Sequence, residues 1–123
     1  EEKLKDKRKL AALYGLVATC LLQDGQEQQA KETIEKAITL HKEVDNINGL
    51  SMLYNQLGDL HLGKSEHSKA LESYNKSLTY GELMANKWRI AQELNNLGNV
   101  YAKKGQNDKH LGTSLRQTKN IQR

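Results

Sequence analysis

Three stretches, AALYGLVATCLLQDG (11–25), SMLYNQLGDLHLGKS (51–65) and AQELNNLGNVYAKKG (91–105), line up when the chain is shifted against itself by forty residues. Tyr14, Tyr54 and Leu94 coincide, then Val17, Leu57 and Leu97, then Ala18, Gly58 and Gly98, then Leu21, His61 and Tyr101. The segments between them keep the register. Ala30 falls on Ala70, Ile34 on Tyr74, Ala37 on Ser77 and Leu40 on Tyr80, while Val44, Asn46 and Leu50 fall on Met84, Asn86 and Ile90. A period of this length marks stacked supersecondary units, none of which buries its apolar face alone.

Each unit reads as two helices. Leu94, Leu97 and Tyr101 recur at three- and four-residue spacing and predict one buried stripe. Gly25 and Gly105 follow the last apolar residue of their helices and suit the left-handed position past a helix end, with Ser65 in that place in the second unit. Gly98 in mid-helix costs about 1 kcal/mol against Ala, which predicts a close neighbour there. The expected helices are 3–24, 27–45, 48–63, 67–85, 88–104 and 107–121. They make an all-α, right-handed α-solenoid of three helix-turn-helix repeats, at about 11–50, 51–90 and 91–123. The last repeat is degenerate, because His110, Ser114 and Gln117 stand where Ala30, Ile34 and Ala37 stood. The whole reads as a fragment of a longer protein or a processed chain.

Composition excludes other classes. Among 123 residues there is no Pro and no Phe, and no window approaches eighteen apolar residues, so no membrane span is expected. Sparse β-branched and aromatic residues disfavour a β-sandwich. Cys20 is the single cysteine and cannot form an internal disulfide, so the expected location is cytoplasmic. The net charge of +4 resides at the ends: residues 1–10 carry +2, residues 103–123 carry +5, and the middle carries −3. A nucleic-acid reader gathers its basic residues on one structured surface. Binding through Lys103, Lys104, Lys109, Arg116, Lys119 and Arg123 is therefore the lesser alternative.

Gly58 to Ser65 fits the phosphate-loop pattern G-x-x-x-x-G-K-[ST]. That loop needs a strand before it, and LSMLYNQL has a helical period, so the match is read as chance. The histidines His41, His61, His67 and His110 show no metal-site spacing. His61 is expected as a packed, hydrogen-bonded ring, Cys20 as a small buried residue and Trp88 as a packing residue. No catalysis, metal or cofactor is expected.

The Leu-Gly pair at 97–98, the Tyr at 101, the turn Gly and the Ala five beyond it resemble the tetratricopeptide repeat. That family's usual unit is about thirty-four residues and carries a Pro near its end. The forty-residue period without Pro resembles its long-repeat branch, found in kinesin light chains, spindle-orientation adaptors and bacterial signalling proteins. A weaker likeness is to the repeat subunit of the cohesin loader, which implies a chromatin-loading adaptor as an alternative.

The resemblance implies a non-catalytic protein–protein interaction scaffold, a signalling adaptor whose first helices line a concave groove for a peptide or partner helix. On the fifth helix Gln92, Asn96, Asn99 and Lys103 form a stripe facing away from Leu94, Leu97 and Tyr101. The same offsets select Gln56 and Asp59 on the third helix, and Leu16 and Thr19 on the first. These eight are the expected partner-binding residues. The variant that grips a C-terminal carboxylate uses Lys, Asn, Lys and Arg. Gly15, Thr19, Gln92 and Asn96 stand at those places, which argues against a chaperone-tail receptor.

Overall fold

The structure, a computed structural model, describes residues 2–111, and side chains as far as Gly105. Five helices follow one another: α1 (Glu2–Gln23), α2 (Glu27–Glu43), α3 (Ile47–Gly63), α4 (His67–Leu83) and α5 (Lys87–Leu111). No strand occurs among the described residues. The forty-residue shift carries the end of α1 onto that of α3, both ends of α2 onto those of α4, and the start of α3 onto that of α5.

The turns explain this regularity. Residues 25, 45, 65 and 85 all take positive φ, and only the first is Gly: Gly25 at 78°, Asp45 at 53°, Ser65 at 61° and Ala85 at 52°. At each, two amides close the preceding helix in the Schellman pattern. Gln26 N–H donates to the Leu21 carbonyl and Gly25 N–H to the Leu22 carbonyl, and the other three turns repeat both bonds. Asn46 and Asn86 then start α3 and α5, their Oδ1 atoms accepting from the amides of Gly49 and Arg89 at 3.1 Å each.

Helices adjacent in sequence pack on one another: α1 on α2, α2 on α3, α3 on α4, and α4 on α5. Ala18, Ile34, Ile38, Leu53, Tyr54 and Leu57 form much of the core through α1, α2 and α3. Ala70, Tyr74 and Val100 join α4 to α5. Small residues line the crossing of α3 and α4. Ser51 Oγ donates to the Ser77 carbonyl at 3.1 Å, and Ser77 Oγ donates to the Ser51 carbonyl at 2.7 Å. A Cβ on Gly58 would meet the Tyr74 ring at 2.6 Å, so this glycine is required by packing.

Six expectations need correction. The helix expected at 107–121 does not start there, because α5 runs on through Leu111; residues 112–121 lie outside the described residues. Gly105 does not adopt the left-handed turn. A reversal is worth making only if the returning helix has an apolar face to bury, and His110, Ser114 and Gln117 supply none. The stripe Leu94, Leu97, Tyr101 is not buried as a unit: Leu94 is 55% and Tyr101 60% exposed. α5 instead turns Arg89, Glu93 and Val100 inward, and nothing comes within 4 Å of a Cβ built on Gly98. The face that carries Leu94 and Tyr101 corresponds to the α3 face that α4 covers. Trp88 and Cys20, expected inside, are also exposed.

Candidate partner groove

Alternate helices meet through long polar side chains, and this defines two seams. In the first, α3 reaches α1: Gln56 Nε2 donates to Thr19 Oγ1 at 3.1 Å, and Thr19 Oγ1 donates to the Gly15 carbonyl at 3.1 Å. In the second, α5 reaches α3, where the amide groups of Asn96 and Asn55 meet at 2.8 Å. The forty-residue shift carries Gln56 onto Asn96 and Gly15 onto Asn55, while Thr19 falls on Asp59, so the donors are equivalent in register and their partners lie one helical turn apart.

The first seam is open. Between α1 and α3 lies a cleft of about 350 Å³ whose walls include Ala12, Gly15, Leu16, Met52 and Leu53. Gln56 and Thr19 stand at one end, and His41 with Gly49 at the other. Beyond Gln56 a second hollow of about 290 Å³ continues past Leu22, Asp59 and Gly63. A Cβ on Gly49 would meet the His41 ring at 2.6 Å, so this glycine lets the imidazole lie flat on α3. Burial pushes the His41 pKa below its ordinary value, which keeps the ring neutral at physiological pH.

The second seam is filled. Gly15 is replaced by Asn55, Gly49 by Arg89 and Leu53 by Glu93 at the equivalent positions. Glu93 is fully buried, with Arg89 Nη1 at 3.4 Å from Oε2 and Asn96 Nδ2 donating to Oε1 at 3.2 Å. With its amide nitrogen towards the carboxylate, Asn55 donates to Oε2 at 2.8 Å and to Oε1 at 3.1 Å. Burial pushes the Glu93 carboxyl up, opposed by Asn96 and Arg89. The exchange of bulk is reciprocal. Where the first seam has His41 over Gly49, the second has Gly81 under the Arg89 stem, and a Cβ on Gly81 would meet Arg89 Cγ at 2.8 Å.

Of the eight residues expected in the groove, Leu16, Thr19 and Gln56 come together at the first seam. Leu16 is 65% exposed on its rim. Asp59 is exposed but accepts a hydrogen bond from the Tyr74 hydroxyl, whose pKa burial raises far above the ordinary tyrosine value. Gln92 and Asn96 turn towards Arg89 and Glu93: Arg89 Nη1 donates to Gln92 Oε1 at 2.9 Å. Asn99 and Lys103 lie exposed. His41, Asn55, Arg89 and Glu93 were not among the expected residues. A signal for Glu93 was present, since Leu13, Leu53 and Glu93 share one register position and only the last is charged.

Residues 58–63 of the phosphate-loop pattern are helical, so their amides serve the helix and form no anion nest. His61 is a packed, bonded ring as expected, its Nδ1 2.9 Å from Glu66 Oε1. Among the described residues no cluster of His, Cys, Asp or Glu has the makings of a metal site. No described helix is long and apolar enough to cross a membrane. Of the basic C-terminal stretch, Lys103 and Lys104 are exposed on α5. The side chains of Lys109, Arg116, Lys119 and Arg123 lie outside the described residues.

No curated protein matches the chain. The family model of the tetratricopeptide repeat matches residues 9–81, which take in most of the α1–α2 and α3–α4 hairpins and more than half of the sequence. With its helical hairpins repeating at a fixed register, the chain belongs to the tetratricopeptide repeat family.

Proposed function

We propose that the chain is a non-catalytic scaffold that takes a peptide segment of a partner protein along the face shared by α1, α3 and α5. Repeats of this family generally mediate protein–protein interactions. The observation that carries the finer reading is the cleft of about 350 Å³ between α1 and α3, rimmed by exposed Leu16 and Met52. A concave, mostly apolar site with a few placed polar groups is what ligand recognition requires. The reading extends to a right-handed solenoid of three repeats in the long-repeat branch, working as a cytoplasmic signalling adaptor. Leu16, Thr19, Gln56 and Asp59 make the near part of the groove, and Asn99 and Lys103 its far end. Gln92 and Asn96 act by holding α5 in place.

A peptide library selected on the chain tests this. Selected peptides are expected to lose at least tenfold in affinity for the double variant Leu16→Asp, Met52→Asp, both sites being exposed and the helical circular dichroism unchanged. Equal binding to that variant overturns the groove assignment.

A further inference from the structure

The face of α3 that α4 covers shows what the uncovered face of α5 is shaped to receive. On α3 the Tyr74 ring takes the space that a Cβ on Gly58 would need. Ser77 exchanges hydrogen bonds with Ser51, and the Tyr80 ring stacks on Tyr54 with centroids 6.0 Å apart. The forty-residue shift carries the receiving positions Ser51, Tyr54 and Gly58 onto Ala91, Leu94 and Gly98. There Leu94 is exposed, and nothing lies within 4 Å of a Cβ built on Gly98. A mid-helix glycine costs about 1 kcal/mol against Ala. At Gly58 the packed ring offsets that cost, and at Gly98 nothing among the described residues does.

The residues that follow α5 do not match this face. The shift pairs Tyr74 with Ser114 and Ser77 with Gln117, which offers no ring to Gly98 and a longer side chain to Ala91. Charge opposes them as well. Among the described side chains of α5 the exposed charged groups are all basic. Lys87 begins the uncovered face and Lys104 flanks Tyr101 at its far end, one turn away. Residues 112–123 add Arg116, Lys119 and Arg123 and no acidic group. Lys87 also stands in the first turn of its helix, where a cation is unfavourable and a facing carboxylate relieves it. The complement of this face is therefore a helix with a ring, a small residue three positions later, and acidic groups towards both ends.

The geometry points to the uncovered face of α5 as the docking site of an acidic amphipathic helix from a partner protein, its aromatic ring seated over Gly98 and its small residue against Ala91. This site is separate from the groove. The probe is a stapled helical peptide with the α4 sequence, residues 67–83, in which Lys69 and Lys76, both exposed in the native helix, are changed to Glu. Fluorescence anisotropy against the full chain is expected to show binding about tenfold tighter than for the same peptide with Tyr74→Ala. Against the unaltered α4 peptide the gain is about threefold at low salt, and it vanishes near 1 M salt, where screening acts within about 3 Å. In the chain, Gly98→Leu fills the slot and favours the helix, so affinity falls about tenfold while the helical circular dichroism persists. The groove variant Leu16→Asp, Met52→Asp binds this peptide as the native chain does.

Binding that ignores Gly98→Leu overturns the assignment, as does binding that is equally tight without the Tyr74 ring. Failure of the acidic peptide to bind, or loss of binding in the groove variant, overturns it too. Equal affinity of the acidic and unaltered peptides at low salt overturns the acidic partner. Two rival occupants are read in the chain without peptide. If Gly98→Leu moves the amide resonances of residues 112–123, those residues cover the face. If it abolishes self-association in sedimentation, a second copy covers it. Either result overturns the partner helix and leaves the groove reading standing.

Discussion

The two seams occupy the same register positions and were built on opposite principles. Between α1 and α3, small and apolar residues leave a cleft with a neutral imidazole at its end. Between α3 and α5, an arginine, a glutamate and two asparagines close the same space. The repeat therefore dictates where helices cross, and side-chain volume at a few positions decides whether the crossing becomes a site or a strut. The glycines make the point most clearly. Gly49 and Gly81 are not equivalent in register, yet each serves a bulky neighbour, His41 in one seam and Arg89 in the other.

The comparison breaks most visibly at Arg89. Removing it by Arg89→Ala leaves Glu93 fully buried without its cation, and stranding a buried charge costs about 3–5 kcal/mol. Urea unfolding followed by circular dichroism should show this loss as a lower midpoint with an unchanged slope. A change below 1 kcal/mol would mean that Asn55 and Asn96 alone satisfy the carboxylate.

The next contrast uses residues in identical register. Asn96→Ala removes a donor from buried Glu93 and should cost about 1–3 kcal/mol. Gln56→Ala deletes an acceptor that already lacks a donor, and leaves Thr19 bonded to Gly15, so its cost should stay below about 1 kcal/mol. Equal losses in the two variants would erase the distinction between strut and site. Asn99→Ala, at an exposed position, serves as the near-neutral control.

This contrast also shows what sequence reading reaches. The forty-residue shift carries enough information to place the first four helices and the start of the fifth within about two residues, because apolar positions and turn residues recur together. It also located the turns at Gly25 and Ser65. It said nothing of Asp45 and Ala85, whose left-handed backbone is imposed by packing on either side and has no glycine to announce it. Groove positions were assigned helix by helix from angular offsets. The structure brings Leu16, Thr19 and Gln56 together at one cleft, where α1 and α3 face one another. Gln92 and Asn96 turn towards Arg89 and Glu93, because Glu93 lies where the register asks for leucine and holds the nearby polar groups. The sixth helix was misplaced for a related reason: Gly105 permits a turn, but a turn forms only when the returning segment has something to bury.

Acidity sharpens the comparison further. The folded state raises the Glu93 pKa above its unfolded value near 4.5, so the folded protein holds this proton more tightly than the unfolded chain. Its contribution to stability is complete below the unfolded pKa and is lost as pH rises through the folded value. Thermal midpoints of the native chain should therefore fall, relative to Glu93→Gln, as pH rises from about 4.5. Parallel profiles for the two proteins would show that Arg89 and the amides cancel the desolvation. His41 acts in the opposite sense. Its depressed pKa makes the open seam lose stability as pH falls below the ordinary histidine value of 6.5, and its ring resonances should titrate below that point.

The smallest expected effect comes from converting one seam towards the other. Gly15 sits inside α1, has nothing within 4 Å of a built Cβ, and does not require positive φ. Gly15→Asn should recover a few tenths of a kcal/mol of helix propensity, roughly the margin of Asn over Gly. The introduced amide also enters the register position from which Asn55 meets Asn96 at 2.8 Å. There it can donate to Gln56 Oε1, adding about 0.5–1.5 kcal/mol if the bond forms. A rise in the thermal midpoint of a few degrees is the expected reading. A fall would show that the cleft is kept open by a constraint on α1 other than the missing side chain, and the likeness between the two seams would end at the register.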